Sequence, residues 1–295
     1  MLQQLPQLLP AGLTVGSGYA LVALGIHIIL RATRVVNFAQ GEFVILGGLL
    51  AYTGVNALHL NVWLALAGAT VAGFVLGLIY DRIVLRPAAR VGELTVTIAS
   101  IGTVYVLLYG HALIWGSLPE PLPFFSGGER DATWHLGVLE IAAQQVWVLG
   151  LLAAALGALH LFFERTTFGK AIRAAANNPQ GARLVGIDVD RTRAVSVGIA
   201  IALAAFGGTI IGPITLVGGA GGTAIAIKGF VGAVVGGLDS PIGCAVGGLF
   251  VGVIEKLIEG QFSYGVADPA VYSLLLAMLL IRPQGLFGSR AAVRD

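Results

Sequence analysis

The sequence predicts an all-α, polytopic integral membrane protein with eight or nine membrane segments, some of them interrupted or re-entrant and Gly-rich. Three observations predict it. Hydrophobic residues make up 57% of the 295 and charged residues only 11%, with a mean hydropathy of +0.89, where a soluble domain carries about 25% charged residues. Too little polar surface remains to cover a water-exposed globule. Apolar runs of helix-spanning length recur along the chain, and basic residues fall in every second connection between them.

A bilayer core needs roughly 20 apolar residues of helix. Such runs occupy 11–30, 37–56, 61–80, 94–115, 141–163, 194–216, 223–238, 241–258 and 269–281. The run at 223–238 is short, Gly-rich and contains Lys228, which marks it as a crossing or a re-entrant segment. Met1 to Pro10 has no basic n-region, so the first run is expected to be an uncleaved span. The 43 glycines suit membrane helices, whose backbones approach closely where side chains are small.

Of the 17 Lys/Arg, 14 fall in four alternating segments: Arg31 and Arg34; Arg82, Arg86 and Arg90; Arg165, Lys170, Arg173, Arg183, Arg191 and Arg193; Arg282, Arg290 and Arg294. The loops between hold Arg130 alone, against Glu120, Glu129, Asp131, Glu140, Glu259 and Asp268. Positive residues accumulate on the cytoplasmic side, which predicts an outside N-terminus and a cytoplasmic C-terminus. A net charge of +2 implies no nucleic-acid partner. The one cysteine, Cys244, excludes an intrachain disulfide and a cysteine zinc site.

The longest basic loop, 164–193, reads as a helix-turn-helix knob. Thr167 to Ala176 form one short helix, and Asn177-Asn178-Pro179 break it, since the residue before proline is disfavoured in the helical region. Pro179 opens a second short helix, Gly186 suits its left-handed end, and Asp188 or Asp190 caps the next membrane helix. A knob with an Ala-Ala-Ala surface at Ala174, Ala175 and Ala176 fits docking into a groove on a cytosolic partner. A solvated loop whose arginines only fix topology is the plainer alternative.

His27, Glu42, His111 and Lys228 lie inside apolar runs, where ionisable groups face a cavity or a partner. Glu42 belongs either at a translocation path or in bracing it, or at a snorkelling structural position near the inner interface. Lys228 is a candidate to neutralise a carboxylate, with Glu42 the unpaired one in another span. His27 and His111 suit hydrogen bonds within helix packing, and Glu255, Lys256 and Glu259 a local charge cluster. An internal echo, Gly41 to Gly48 against Gly229 to Gly237, suggests two halves with interrupted helices at matching places. The chain has no G-x-x-x-x-G-K-[ST] phosphate loop, since Gly169-Lys170 is followed by Ala171. It has no H-E-x-x-H, G-x-S-x-G or paired intramembrane aspartates either. No catalytic residue, cofactor or metal is therefore expected.

Four motifs carry a resemblance. Arg34-Val35-Val36-Asn37-Phe38-Ala39-Gln40-Gly41-Glu42 resembles the "NFAHGE" signature of branched-chain amino acid ABC permeases, the LivH/LivM type. Arg173-Ala174-Ala175-Ala176-Asn177-Asn178-Pro179, running to Leu184-Val185-Gly186-Ile187-Asp188, is similar to that family's coupling loop. Lys228-Gly229-Phe230 with Val235 to Gly243 resembles its "KAF…VLGGxGSxxGA" run, and Ile281 to Gly288 its C-terminal "RPxGLFG". Together they extend over residues 34–288.

The resemblance implies one permease domain over 1–295 in a bacterial inner membrane. Its partners would be cytosolic ABC ATPases on the 164–193 loop, a second permease and an extracytoplasmic binding protein. It places Asn37, Gln40, Glu42 and Lys228 at the path, and Arg173, Ala174, Ala175, Ala176, Asn177, Pro179, Leu184 and Gly186 at the coupling loop. Two departures stand out: Gln40 occupies the family's His position, and Ala174 a position where many relatives are acidic. Relatives with these signatures also serve urea and short amides. An autonomous secondary transporter or channel is the rival reading from another class.

Overall fold

The computed structural model describes residues 5–116, 118, 121–126, 133–136, 139–219, 221–262 and 264–288. Every predicted run is a helix. The chain runs through α1 (Leu5–Thr33), α2 (Gln40–Asn56) and α3 (Val62–Tyr80), then a π-helical turn (Asp81–Leu85), α4 (Arg86–Val91) and α5 (Glu93–Trp115). A short antiparallel hairpin follows, β1 (Thr133–Leu136) with β2 (Leu139–Ala142), paired from Thr133↔Ala142 to Leu136↔Leu139. Then come α6 (Ala143–Arg165), α7 (Thr167–Asn177), α8 (Pro179–Leu184), α9 (Val189–Thr215), α10 (Gly222–Gly236), α11 (Pro241–Gln261) and α12 (Tyr264–Ile281).

Six helical segments among the described residues are long and apolar enough to cross a membrane: Gln7–Thr33, Val62–Val91, Glu93–Trp115, Ala143–Arg165, Val189–Thr215 and Pro241–Gln261. The other three runs are shorter, with 17 residues in α2, 15 in α10 and 18 in α12. The hairpin occupies part of what the sequence reads as a plain loop.

α1 is the central post, packed against α9, α10 and α11. Its contact with α11 depends on two small-residue pairs, Gly12 and Gly16 against Gly248 and Gly252. A Cβ on Gly16 would stand 2.8 Å from the Leu249 carbonyl, and one on Gly252 2.6 Å from that of Gly12. In lipid, where apolar helices gain nothing from water exclusion, such backbone contact supplies the packing energy. α5 and α6 lie at the periphery, with most of their residues exposed or half-buried.

The basic segments gather at one end of the bundle. Arg31 reaches Asn177 at the end of α7 (3.5 Å) and Asp239 in the α10–α11 turn (3.9 Å). Arg193 of α9 binds Asp81 (2.9 Å), and Arg86 pairs with Asp190. The tail joins the same end: Leu286 and Phe287 donate their backbone N–H to Val235 (2.8 Å) and Gly236 (3.0 Å), capping α10. Arg290, Arg294, Glu120, Glu129, Arg130 and Asp131 lie outside the described residues. At the opposite end Trp63 meets Phe125 and Trp147 edge to face, with centroids 5.0 and 4.9 Å apart. Indole rings collect at such membrane interfaces.

Candidate functional site

Two interrupted segments meet in the core. After α1 the chain does not start α2 at the same level. Residues 34–39 turn back into the bundle, with Arg34 at φ 61° and Asn37 and Ala39 buried. Asn37 Oδ1 accepts from the Ala39 N–H (3.2 Å) and the Tyr80 hydroxyl (3.1 Å). Gln40 donates to the Ala200 carbonyl (2.8 Å) and packs against Gly25 of α1. α2 therefore begins beside Gly25, eight residues before the end of α1, about 12 Å into the bundle at 1.5 Å per residue.

On the other side α9 ends at Thr215, and the chain turns inward through Leu216 (φ 61°), Gly218 and Gly219. Val217 in this turn is buried, and α10 starts within the core. The N-terminal turns of α2 and α10 converge on Glu42, which has no exposed surface. Its carboxylate accepts from the Thr223 hydroxyl (3.2 Å) and lies 3.1 Å from His111 Nε2 of α5. A Cβ on Gly222 would fall 2.5 Å from the carboxylate carbon, so glycine is required there. Both helix N-termini carry partial positive charge, which favours a carboxylate between them.

The four predicted path residues divide into two groups. Asn37, Gln40 and Glu42 share this core, whereas Lys228 lies elsewhere. Its ammonium bridges Glu255 of α11 (2.8 Å) and Asp268 of α12 (2.7 Å), with the Tyr19 ring 5.9 Å away. The pairing of Lys228 with Glu42 is thus not formed, because α10 turns that side chain toward α11 and α12. Glu42 is not a snorkelling residue either, since it is wholly enclosed and bonded. All four side chains are buried within the packed bundle, at 0–5% exposure. Asn37 Nδ2 and Gln40 Oε1 have no hydrogen-bond partner. A buried orphan donor and acceptor three residues apart are unusual in a packed core, and Glu255 Oε2 and Glu259 Oε1 on α11 are in the same state.

His27 and His111 are bonded within helix packing, His27 to the Leu238 carbonyl (2.6 Å). Lys256 pairs with Glu259 (2.5 Å), but Glu255 leaves the expected local cluster for Lys228. Sequence reasoning missed Tyr80, Thr223, Gly222 and Asp268. For Asp268 a signal existed, an acid at the start of an apolar run. The two halves of the internal echo occupy α2 and α10, and each uses its glycines for close packing, Gly47 on Ala205 and Gly232 on Gly248.

The basic loop folds as the knob that its local signals dictate. Thr166 caps α7 through the Gly169 N–H (3.0 Å). Asn178 caps α8 through Gly181 (2.9 Å), and Asp188 caps α9 through Arg191 (3.0 Å). Gly186 adopts φ 82° at the end of α8. Its presented face differs from the expected one. Ala175 turns inward with Ile172 and Ala182, and Ala176 is half-buried. Leu184 and Val185 form the tip, at 89% and 76% exposure. Arg173, paired with Glu164, together with Ala174 and Asn177, shares the exposed surface, while Pro179 is half-buried.

The family model described as "Branched-chain amino acid transport system / permease component" matches residues 8–282. The chain belongs to this permease family. Its relatives include the high-affinity branched-chain amino acid transport system permease protein LivH of Escherichia coli K12. The two are 31% identical over 94% of this chain and 93% of that one. BraD of Pseudomonas aeruginosa, a permease of the same description, is 31% identical over 96% and 95%. The xylose/arabinose import permease protein XylH of Sulfolobus acidocaldarius is 31% identical over 71% of this chain and 55% of its own. PsaBC from Streptococcus pneumoniae, solved with a Fab, shares the fold with a TM-score of 0.52. At 17% identity it covers 94% of this chain and 91% of that one. The motif-based resemblance thus agrees with a whole-chain match.

Proposed function

We propose that this permease is one of two membrane subunits of an ABC importer for branched-chain amino acids. Separate cytosolic ATPases dock on the 164–193 knob and supply the energy, and an extracytoplasmic binding protein delivers the substrate. The observation that carries this reading is the knob's Leu184–Val185 tip, an apolar pair standing on two capped helices at the basic end of the bundle. An exposed apolar patch rimmed by charge marks a protein contact. The sequence has no phosphate loop of its own, which assigns ATP hydrolysis to a partner.

Positive loops on the inside place the knob and the C-terminus in the cytoplasm and the N-terminus outside a bacterial inner membrane. ATP binding would draw the ATPases and their knobs together and shift the bundle between outward- and inward-open states. LivH and BraD, matched over nearly the whole chain, favour branched-chain amino acids over urea, short amides or the pentoses named for XylH. The enclosure of Glu42 weighs against an autonomous secondary transporter or channel, whose coupling carboxylate must meet its ion.

The test is purification in mild detergent after co-expression with cytosolic ABC ATPases. Leu184→Asp and Val185→Asp should leave the permease in the membrane at normal abundance, remove the ATPases on purification and abolish leucine uptake. Retained ATPases and full uptake in both variants would reduce the knob to a topogenic loop.

A further inference from the structure

α5 carries hydrogen-bonding groups on both of its faces. Its inward side is a ladder of satisfied ones. Ser100 Oγ accepts from the Phe38 N–H (3.5 Å), His111 meets Glu42 (3.1 Å), and Trp115 Nε1 donates to Thr53 (2.7 Å). Its outward side presents Ile98, Gly102, Tyr105, Tyr109 and Leu113 along one stripe. Tyr105 is at the middle of the 23-residue helix, and Tyr109 is one turn further on. Their rings stack at 6.4 Å and 17°, at 56% and 63% exposure. Neither hydroxyl has a hydrogen-bond partner among the described residues.

Hydrocarbon offers nothing to an O–H group, so outward faces at mid-membrane are apolar unless another surface or water covers them. The other peripheral spans obey this. The exposed middle of α3 is Ala67, Gly68, Val71 and Val75, and that of α6 is Gly150, Ala153, Ala154, Gly157 and Ala158, the exposed His160 standing nearer the helix end. A dry contact with a second copy also fits α5 poorly. Close helix packing in lipid uses small residues, and this stripe stands out with branched and aromatic side chains around a single Gly102.

We propose that this face of α5 lines the water-filled translocation path, with Tyr105 and Tyr109 as the surface over which the substrate passes. The rings offer apolar area to an aliphatic side chain, and the hydroxyls, solvated by path water, serve its polar head group. The chemistry selects a small amphiphile, an aliphatic amino acid, over a wholly polar solute such as urea. The proposal rests on the permease reading and adds residues that neither the motifs nor the relatives point to.

The test is a single-cysteine set on a Cys244→Ala parent, assembled with its ATPases in proteoliposomes. Tyr105→Cys and Tyr109→Cys are compared with Val71→Cys and Val75→Cys on α3. The probe is a water-soluble cationic methanethiosulfonate, which reacts with thiolate and so needs water at the site. Labelling at 105 and 109 should be at least about tenfold faster than at 71 and 75, since desolvation raises a thiol's pKa by more than about one unit, and excess leucine should slow it. Rates equal to the α3 controls would place the face in lipid and overturn the proposal. Oxidative cross-linking between two copies without labelling would make it a dry contact, and labelling indifferent to leucine would remove the substrate from it. Either result also overturns the proposal. Failure of the importer reading shows separately, as absence of ATP-dependent leucine uptake in the parent.

Discussion

Glu42 Oε2 and His111 Nε2 stand 3.1 Å apart with Glu42 wholly enclosed, so one side-chain pair ties α5 to the point where α2 and α10 begin. Glu42→Gln keeps the shape and an acceptor for Thr223 but removes the charge that both helix N-termini favour. Permease abundance and ATPase retention are expected to stay near normal, with uptake lowered at least about tenfold, equivalent to about 1.4 kcal/mol. Glu42→Ala, which also opens a cavity and leaves Thr223 and His111 unpaired, should additionally lower the unfolding temperature in detergent. Unchanged uptake in Glu42→Gln would confine this carboxylate to bracing.

Gly222 tests the same junction from the opposite side. A methyl group there would fall 2.5 Å from a carboxylate that cannot retreat, because His111 and Thr223 already hold it. Overpacking of this kind costs about 1–3 kcal/mol. Gly222→Ala is therefore expected to lower thermal stability in detergent. Gly221→Ala next to it, where nothing stands within 4 Å, should not. Equal melting of the two variants would refute the close approach.

Features that depend on a few consecutive residues were legible in the sequence. Pro179, Asn178 and Gly186 specify the knob through φ preferences and caps, and the alternating arginines specify which loops share an end. Features that depend on helix rotation were not. The burial of Ala175 follows from which side of α7 faces α9, and a run of three alanines carries no such information. The partners of Lys228 lie 27 and 40 residues away on α11 and α12. Only the packed bundle fixes that α10 turns this side chain toward them and away from Glu42.

Lys228 provides a test by charge removal. Lys228→Met strips the partner from Glu255, a carboxylate 3% exposed, and breaking a buried pair on one side costs about 3–5 kcal/mol. The variant should reach the membrane at reduced abundance and melt earlier. Lys228→Met with Glu255→Met should recover much of the loss, since two apolar residues can replace a buried pair. Asp268→Asn should be milder, because that side chain is 39% exposed. A double variant no more stable than the single would mean that Glu255 does not depend on Lys228.

The orientation of the bundle can be decided with two cysteines. Ser126 is exposed and adjoins Phe125, whose ring meets Trp63 at the indole-rich end. Gln180 is exposed on α8, in the knob at the arginine-rich end. Neither side chain caps a helix or bonds to a neighbour among the described residues, so both substitutions should leave the fold intact. The native Cys244 is buried at 0% exposure and gives little background. With the arginine end in the cytoplasm, an impermeant maleimide added to intact cells should label Ser126→Cys and spare Gln180→Cys. Permeabilisation should make the second reactive. Labelling of Gln180→Cys alone in intact cells would invert the molecule. It would also put the knob beyond the reach of a cytosolic ATPase, so the proposed coupling would fall with the orientation.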